Sequence, residues 1–280
     1  MPILSFDNVS YSYPGALEPA LSGLSLQLGE GEYLAVVGAN GSGKSTLALH
    51  MNGLLQPCEG SVTLRLPGGQ LLDSRRKADL PALRRACSLV FQDPDEQTVA
   101  STVEEDVAFG PENLGLPREE LRRRVDRALG QVGLADKAGC LVASLSRGQR
   151  QRVAVAGALA MEPAVLVCDE PTAMLDAQGS RAVMRLLREV SQAGCAVVLV
   201  THSMEQALQA DRVAVMGKGR ILMEGSPREV FTARTAQQLR SGGLELPAAA
   251  AYALDHGWSD PLPLTLDELV QRVRSGAAGA

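Results

Sequence analysis

One short stretch constrains this chain more than any other. Gly38-Ala39-Asn40-Gly41-Ser42-Gly43-Lys44-Ser45-Thr46 follows a continuous apolar run over residues 33–37 and opens a helical pattern extending to about Asn52. An uninterrupted apolar run reads as a strand buried on both faces, as in parallel sheets. Residues 38–45 fit Gly-x-x-x-x-Gly-Lys-Ser. Glycines let the backbone curl until its N–H groups converge on phosphate, and the helix start behind them adds the positive end of its dipole. In such a loop Lys44 supplies a point charge to the β and γ phosphates, and Ser45 offers a hydroxyl to Mg²⁺. Strand, glycine-rich turn and helix in this order predict an α/β fold that binds a nucleoside triphosphate. The loop alone does not separate kinases, GTPases, helicases and transporters.

The 280 residues suffice for one large α/β domain with an appendage. Net charge is −5, so no broad electrostatic surface for nucleic acid is expected. The cysteines Cys58, Cys87, Cys140, Cys168 and Cys195 are scattered without a Cys-x-x-Cys pair, and read as small hydrophobes in a reducing compartment. No apolar stretch approaches the ~18–20 residues that cross a bilayer. Residues 1–7 carry no basic leader, so no signal peptide is expected there. If the protein serves transport, another chain must cross the membrane.

Further strands are predicted at residues 4–9, 61–64, 88–91, 165–168, 196–200 and 213–216, with a last hairpin turning at Gly217-Lys218-Gly219. Between about residues 102 and 161 the pattern is mostly helical, with Leu121, Val125, Ala128, Leu129 and Val132 on one face. This predicts a helical subdomain inserted in the α/β core. In the tail, Ser226-Pro227-Arg228-Glu229 and Thr265-Leu266-Asp267-Glu268 read as capping boxes. Leu266, Leu269, Val270 and Val273 form an apolar stripe that either packs back on the core or meets a partner. Residues 275–280, small and weakly polar, are expected to be disordered.

Residues 165–168 run into Asp169-Glu170. An acid at a strand end can hold Mg²⁺, and the next residue can polarise an attacking water. Acids that merely begin a surface loop are the alternative. Upstream lies Leu145-Ser146-Arg147-Gly148-Gln149; His202 follows a further apolar strand, and Gln92 follows the strand at 88–91. This order resembles the ABC ATPase family over residues 3–230.

The resemblance implies a P-loop NTPase core over residues 1–230, with an antiparallel β subdomain and a helical subdomain at about 93–162. A C-terminal helical extension over 231–280 is implied as a dimerisation element. It also implies roles. Gln92 would touch Mg²⁺ or water and link nucleotide state to the helical subdomain, and Asp169 would hold Mg²⁺ with Ser45. Glu170 and His202 would serve hydrolysis. Ser146, Gly148 and Gln149 would contact the γ-phosphate bound on the opposite subunit, and a serine hydroxyl with N–H groups at a helix start does make an anion site. Asp176 would bridge the subunits. Tyr13, before Pro14-Gly15, would stack on adenine, with Tyr11 its competitor. Arg147 departs from the family, which usually has glycine there. It either impairs the site completed on the partner or points away.

Phe91-Gln92-Asp93-Pro94-Asp95-Glu96-Gln97 and Thr102-Val103-Glu104-Glu105-Asp106-Val107-Ala108-Phe109-Gly110-Pro111-Glu112-Asn113 are similar to the ATPase component of energy-coupling factor transporters. Residues 243–247 and the helix after Thr265 are also similar to that group. The likeness implies a second ATPase subunit, identical or different, a transmembrane T component and a membrane S component that captures cargo. It implies a peripheral place on the cytoplasmic face of the membrane. The cargo would be a vitamin, or cobalt or nickel in a dedicated importer. Two other classes stay open: a soluble ABC ATPase acting on nucleic acid or ribosomes, and a non-hydrolysing NTP-binding module.

Overall fold

The computed structural model describes residues 1–275. The chain begins with strands β1 (Pro2–Tyr11), β2 (Leu21–Gly29) and β3 (Tyr33–Gly38), then helix α1 (Lys44–Met51). Strands β4 (Glu59–Arg65) and β5 (Leu71–Asp73) and helix α2 (Leu80–Ala86) lead to β6 (Cys87–Val90). Three helices follow with no strand between them: α3 (Val103–Glu112), α4 (Arg118–Gln131) and α5 (Arg147–Ala160). Then come β7 (Val165–Asp169), α6 (Ala177–Gln192), β8 (Ala196–Thr201), α7 (Met204–Ala207), β9 (Arg212–Gly217) and β10 (Arg220–Gly225). The last described part is helical: α8 (Pro227–Val230), α9 (Ala233–Ser241), α10 (Ala248–Asp255) and α11 (Leu266–Arg274).

The strands form two sheets. One is antiparallel, in the order β2-β1-β4-β5; the other runs β10-β9-β3-β8-β7-β6, parallel except for β10. The alternation of a strand assigns each residue of β3 to a layer. Leu34 and Val36 face the cluster shared with the antiparallel sheet and α1, through Phe6, Leu26 and Leu47. Ala35 and Val37 face the opposite cluster, with Val155, Leu187 and Leu199. All six residues of β3 are buried, which is why its sequence reads as continuous rather than alternating. Each fully buried Val or Leu contributes about 1.5–3 kcal/mol relative to exposure.

β2 is a strand that the sequence reading did not single out. Leu24, Leu26 and Leu28 alternate inward with exposed Ser25 and Gln27, the period of a half-buried antiparallel strand. The helical run divides into α3, α4 and α5, which pack against one another. The α4 stripe is buried at Val125, Ala128 and Leu129, with Val132 just beyond.

The tail settles most of its own question. Leu244, Leu246, Ala250, Ala253, Trp258 and Leu264 are buried in the same apolar cluster as the helical face of the parallel sheet. The tail therefore packs back on the core, and its apolar residues are continuous with it. The stripe on α11 stays largely uncovered: Leu266 is 69%, Val273 53% and Val270 38% exposed, while Leu269 leans on the core. The box at Ser226 forms completely. At Thr265 only half of the expected box forms. Thr265 Oγ1 accepts from Glu268 N–H, but the Glu268 carboxylate turns further back to Leu264 N–H and to Arg228. Ser275 N–H closes on Gln271 O, ending α11. The remainder of the segment expected to be disordered, 276–280, lies outside the described residues. Among the described residues, no helix is long and apolar enough to cross a membrane.

Candidate nucleotide site

Parallel pairing decides which residues meet. In β3, β8 and β7 the partners Val37↔Thr201 and Asp169↔Val200 bring three strand ends to one edge of the sheet. Gly38, His202 and Glu170 stand at those ends, and Gln92 lies just past β6, the last strand in the order. Ligands bind at the carboxyl ends of parallel strands for this reason. A cleft of about 820 Å³ opens there, lined by Gly38, Ala39, Asn40, Lys44, Ser45, Gln92, Asp169, Glu170 and His202. Pockets of about 300–1,000 Å³ hold small ligands and cofactors.

The loop over residues 38–46 is curled tightly. Gly38 has no room for a side chain: an added Cβ would meet Ser42 Oγ at 2.5 Å and Met216 O at 2.6 Å. Gly43 has φ +101°, and its Cβ would lie 2.5 Å from Ala20 O. Gly41 turns the loop between them at φ +77°. Ser42 N–H donates to Ala39 O, and Gly219 N–H to Ser42 O, tying the loop to the β9–β10 hairpin. Lys44 opens α1 and is 8% exposed; its Nζ donates to Gly38 O at 2.7 Å and Ala39 O at 3.1 Å. Burial pushes the Lys44 ammonium below its usual range, while the Glu170 and Asp169 carboxylates act to hold its proton.

Asp169 is the acid half of this group. Burial raises its pKa above the usual carboxylate range, opposed by a hydrogen bond from Ser45 and the charge of Lys44, while Glu170 pushes the same way as burial. Its Oδ1 is buried without a hydrogen-bond partner. A buried carboxylate oxygen with no donor, beside a serine hydroxyl and next to a phosphate loop, is a hard-oxygen set that fits Mg²⁺. Glu170 has φ +50°, a left-handed conformation uncommon for a residue with a side chain. It is held by bonds on both sides, its N–H to Val200 O and its O from Ala173 N–H. The turn aims its carboxylate at His202, whose Nδ1 lies 2.9 Å from Oε1 and 2.8 Å from Oε2. Both groups face the cleft, so a carboxylate and an imidazole stand side by side on its wall.

Tyr13 is 41% exposed, and its hydroxyl lies 3.2 Å from Thr46 Oγ1 at the start of α1. Tyr11 is turned inward, edge-on to Tyr13 with ring centroids 5.0 Å apart and to buried His50 at 4.8 Å. Of the two, Tyr13 is the more exposed ring next to the loop.

Ser146, Gly148, Gln149 and Asp176 do not line this cleft. Ser146 starts α5 as a full capping box: its Oγ accepts from Gln149 N–H, and Gln149 Oε1 accepts from Ser146 N–H. Asp176 caps α6 by accepting from Gly179 N–H at 2.7 Å. The two loops touch: Leu175 lies 3.5 Å from where a Cβ on Gly148 would stand. Arg147 turns away to Asp93, its Nη2 3.2 Å from the carboxylate, and Arg150 pairs with Asp95 at 2.6 Å. The bulky residue in the motif is thus engaged on its own chain. Arg147→Gly is expected to change steady-state ATPase activity by less than about fivefold, because a half-exposed ion pair contributes about 0–1 kcal/mol. A tenfold rise on removing Arg147 would show instead that it obstructs the site.

The structure adds residues that the sequence reading missed. Gly243, Leu244, Glu245 and Leu246 of the tail, with Ser203 and Glu205 after His202, form one wall of the cleft. Ala248 N–H donates to Glu205 Oε1, and Gly243 sits so close to Ala39 that an added Cβ would stand 3.2 Å from its methyl. The available signal was Gly242-Gly243 before Leu244-Glu245-Leu246, which marks a turn but not its neighbour.

Residues 21–173 match the ABC transporter family. The chain is 50% identical to the energy-coupling factor transporter ATP-binding protein EcfA1 of Symbiobacterium thermophilum, covering 96% of each chain. It is 44% identical to EcfA1 of Clostridium novyi, over 94% of each. Among solved structures it resembles cbiO1 of Clostridium perfringens, part of the ABC transporter complex cbiONQ, with a TM-score of 0.75 and 37% identity over 91% of this chain and 99% of the other. It also resembles the dimeric bacterial ABC transporter cassette MJ0796, with a TM-score of 0.71 and 30% identity over 80% of this chain and 99% of the other. With the phosphate loop, the two acids and the histidine gathered at one sheet edge, and relatives matching along nearly its whole length, the chain belongs to the ABC transporter ATPases, in the energy-coupling factor group.

Proposed function

We propose that this chain hydrolyses Mg-ATP in a head-to-tail pair with a second ATPase subunit and thereby powers an energy-coupling factor importer for a vitamin or related micronutrient. The observation that carries the reading is a division of the machinery. Lys44, Asp169, Glu170 and His202 line the cleft, whereas the Ser146–Gly148 helix start, itself an anion site, lies outside it. A second subunit facing the cleft brings such a helix start to the γ-phosphate. One solved relative, MJ0796, is a dimer bound to ADP and Pi in a post-hydrolysis state.

In the closed pair Lys44 grips the β and γ phosphates and Tyr13 stacks on the adenine. His202 orders Glu170 through its Nδ1–H and reaches the γ-phosphate with its outer edge. Glu170 takes the proton of the attacking water, and Asp176 meets the partner across the interface. Ser45 and Asp169, with Gln92 at the loop above, would hold Mg²⁺, which when bound neutralises charge on the phosphates and fixes their line of transfer. Positioning and electrostatics supply the rate, since the protein forms no bond to phosphorus. The core over residues 1–230 carries this chemistry, and the extension over 231–280, with its exposed α11 stripe, joins the two subunits. Helices α3, α4 and α5 transmit closure to a transmembrane T component, beside a cargo-binding S component, at the cytoplasmic face of the membrane.

The test is the dependence of rate on assembly. Turnover per chain is expected to rise with protein concentration, or on adding the partner ATPase, and to rise again with the membrane components. A strictly monomeric chain splitting ATP at the full rate of the assembled complex would overturn the sandwich. Reconstituted vesicles given labelled vitamins or labelled cobalt and nickel then decide the cargo; uptake of the metal ions alone would replace the vitamin reading.

A further inference from the structure

Gln97 lies beyond the catalytic set, in a loop of exposed and half-buried residues, and is itself half-buried. Its side chain is not directed to solvent. Gln97 Nε2 donates to Leu89 O at 2.9 Å, and Gln97 Oε1 accepts from Phe91 N–H at 3.1 Å. β6 ends the sheet, so its outer edge has no neighbouring strand. A strand residue in a parallel sheet donates to one residue and accepts from the residue two further on. The Gln97 carboxamide does the same at Leu89 and Phe91. One side chain thus stands in for one residue of a missing strand and satisfies two backbone groups that would otherwise fray.

The place where this happens gives it meaning. Phe91 is the last residue before Gln92, which lines the cleft. The other side of the Phe91 peptide is also held: Gln151, 1% exposed on α5, directs Nε2 to Phe91 O at 3.3 Å. Phe91 N–H and C=O are therefore both bound by side-chain amides, one from the loop itself and one from the helix that Ser146 caps. Loss of Gln97 leaves the base of the Gln92 loop held from the α5 side alone.

We propose that Gln97 is a positioning residue: its carboxamide extends the edge of β6 by two hydrogen bonds and so sets Gln92 at the phosphate end of the cleft. This rests on the role given to Gln92 above. Gln97 touches neither nucleotide nor metal, so its removal alters the catalytic step through Gln92 and leaves ground-state binding of ATP in place.

The experiment is a double-mutant cycle on ATPase activity of the full-length chain in its assembled complex. The variants are Gln92→Ala, Gln97→Met and the double; methionine keeps the volume of Gln97 and removes both bonds. Gln97→Met is expected to lower kcat about five- to tenfold, the scale of one or two lost hydrogen bonds, with KM for ATP within about twofold. The Mg²⁺ concentration for half-maximal activity is expected to rise. Acting through Gln92, the substitution should add nothing to Gln92→Ala, so the double variant should match Gln92→Ala alone. Additive losses, a kcat at the wild-type level, or a raised KM with kcat intact would overturn the proposal while leaving Gln92 its role. Gln92→Ala at the wild-type rate would remove that role, and the clamp with it. Should Gln97→Met fail to fold, Gln97→Glu, which retains the acceptor for Phe91 N–H and loses the donor to Leu89 O, carries the same cycle.

Discussion

Glu170→Gln is expected to lower ATP turnover by about 10²–10³-fold while ATP still binds, a loss of about 2.7–4 kcal/mol in transition-state stabilisation. The substitution is nearly isosteric. Gln can still accept the His202 Nδ1–H bond that Glu170 accepts at 2.9 Å, and it leaves the backbone bonds to Val200 and Ala173 in place. What it removes is the negative charge and the capacity to take a proton from water. An interaction made only in the transition state should therefore vanish from kcat and leave nucleotide affinity alone. The left-handed backbone at Glu170 strengthens the expectation, because strain of about 1–3 kcal/mol persists only where surrounding bonds over-determine it. With the negative charge beside the γ-phosphate gone, the sandwich should outlive its usual lifetime. Single-turnover hydrolysis gives the chemical step, and gel filtration with Mg-ATP gives the assembly state. Wild-type hydrolysis by this variant would remove Glu170 from the role of base.

The parts of this site that were legible in the sequence are those whose chemistry is local. Residues 38–45 announce themselves because tight curling, phosphate contact and helix start all fall within one contiguous stretch. The buried β3 and β8 read directly as apolar runs for the same reason. Sheet order is a different matter: β3 lies between β8 and β9, from the far end of the core, and no local pattern names a neighbour so distant. The meeting of Glu170 and His202 follows from that register, so the order of motifs implied it only through the family resemblance. β2 carries its signal in alternating leucines, a weaker pattern than the apolar run and glycine-rich loop that follow it. α10 was illegible on physical grounds. Its buried residues are Ala249, Ala250 and Ala253, and alanines on every face of Ala248–Asp255 leave no stripe to read. The direction of Arg147 toward Asp93 could not be read at all, since spacing along a chain says nothing about where a long side chain turns.

Lys44→Ala is expected to weaken ATP binding by about 10²–10³-fold, the loss of one or two charge-assisted bonds of about 1.5–3 kcal/mol each. Lys44 acts in two ways, and the structure separates them. As a charge, it is buried and held beside Glu170 and Asp169, where its attraction for phosphate is screened far less than at the surface. As a brace, its Nζ bonds Gly38 O and Ala39 O and spans the loop from inside. Lys44→Arg keeps the charge and loses the brace. A guanidinium is planar and larger, and it cannot set one compact donor against both Gly38 O and Ala39 O as the ammonium does. Arginine is therefore expected to restore less than a tenth of the lost affinity, where a purely electrostatic role would have it restore most. The change at Lys44 also reaches Asp169. Lys44 is one of two influences holding that acid's pKa down against burial, the Ser45 hydrogen bond being the larger. Without Lys44 the Asp169 carboxylate loses a neighbouring positive charge and its pKa rises further; the same loss removes a repulsion on Mg²⁺, so Mg²⁺ at Asp169 would offset part of the missing charge on the phosphates. Nucleotide affinity measured by equilibrium fluorescence, with and without Mg²⁺, reads both effects. The loss should be smaller with Mg²⁺ present than without it. Affinity within about threefold of wild type in Lys44→Ala would show that the loop's backbone N–H groups carry the phosphate unaided.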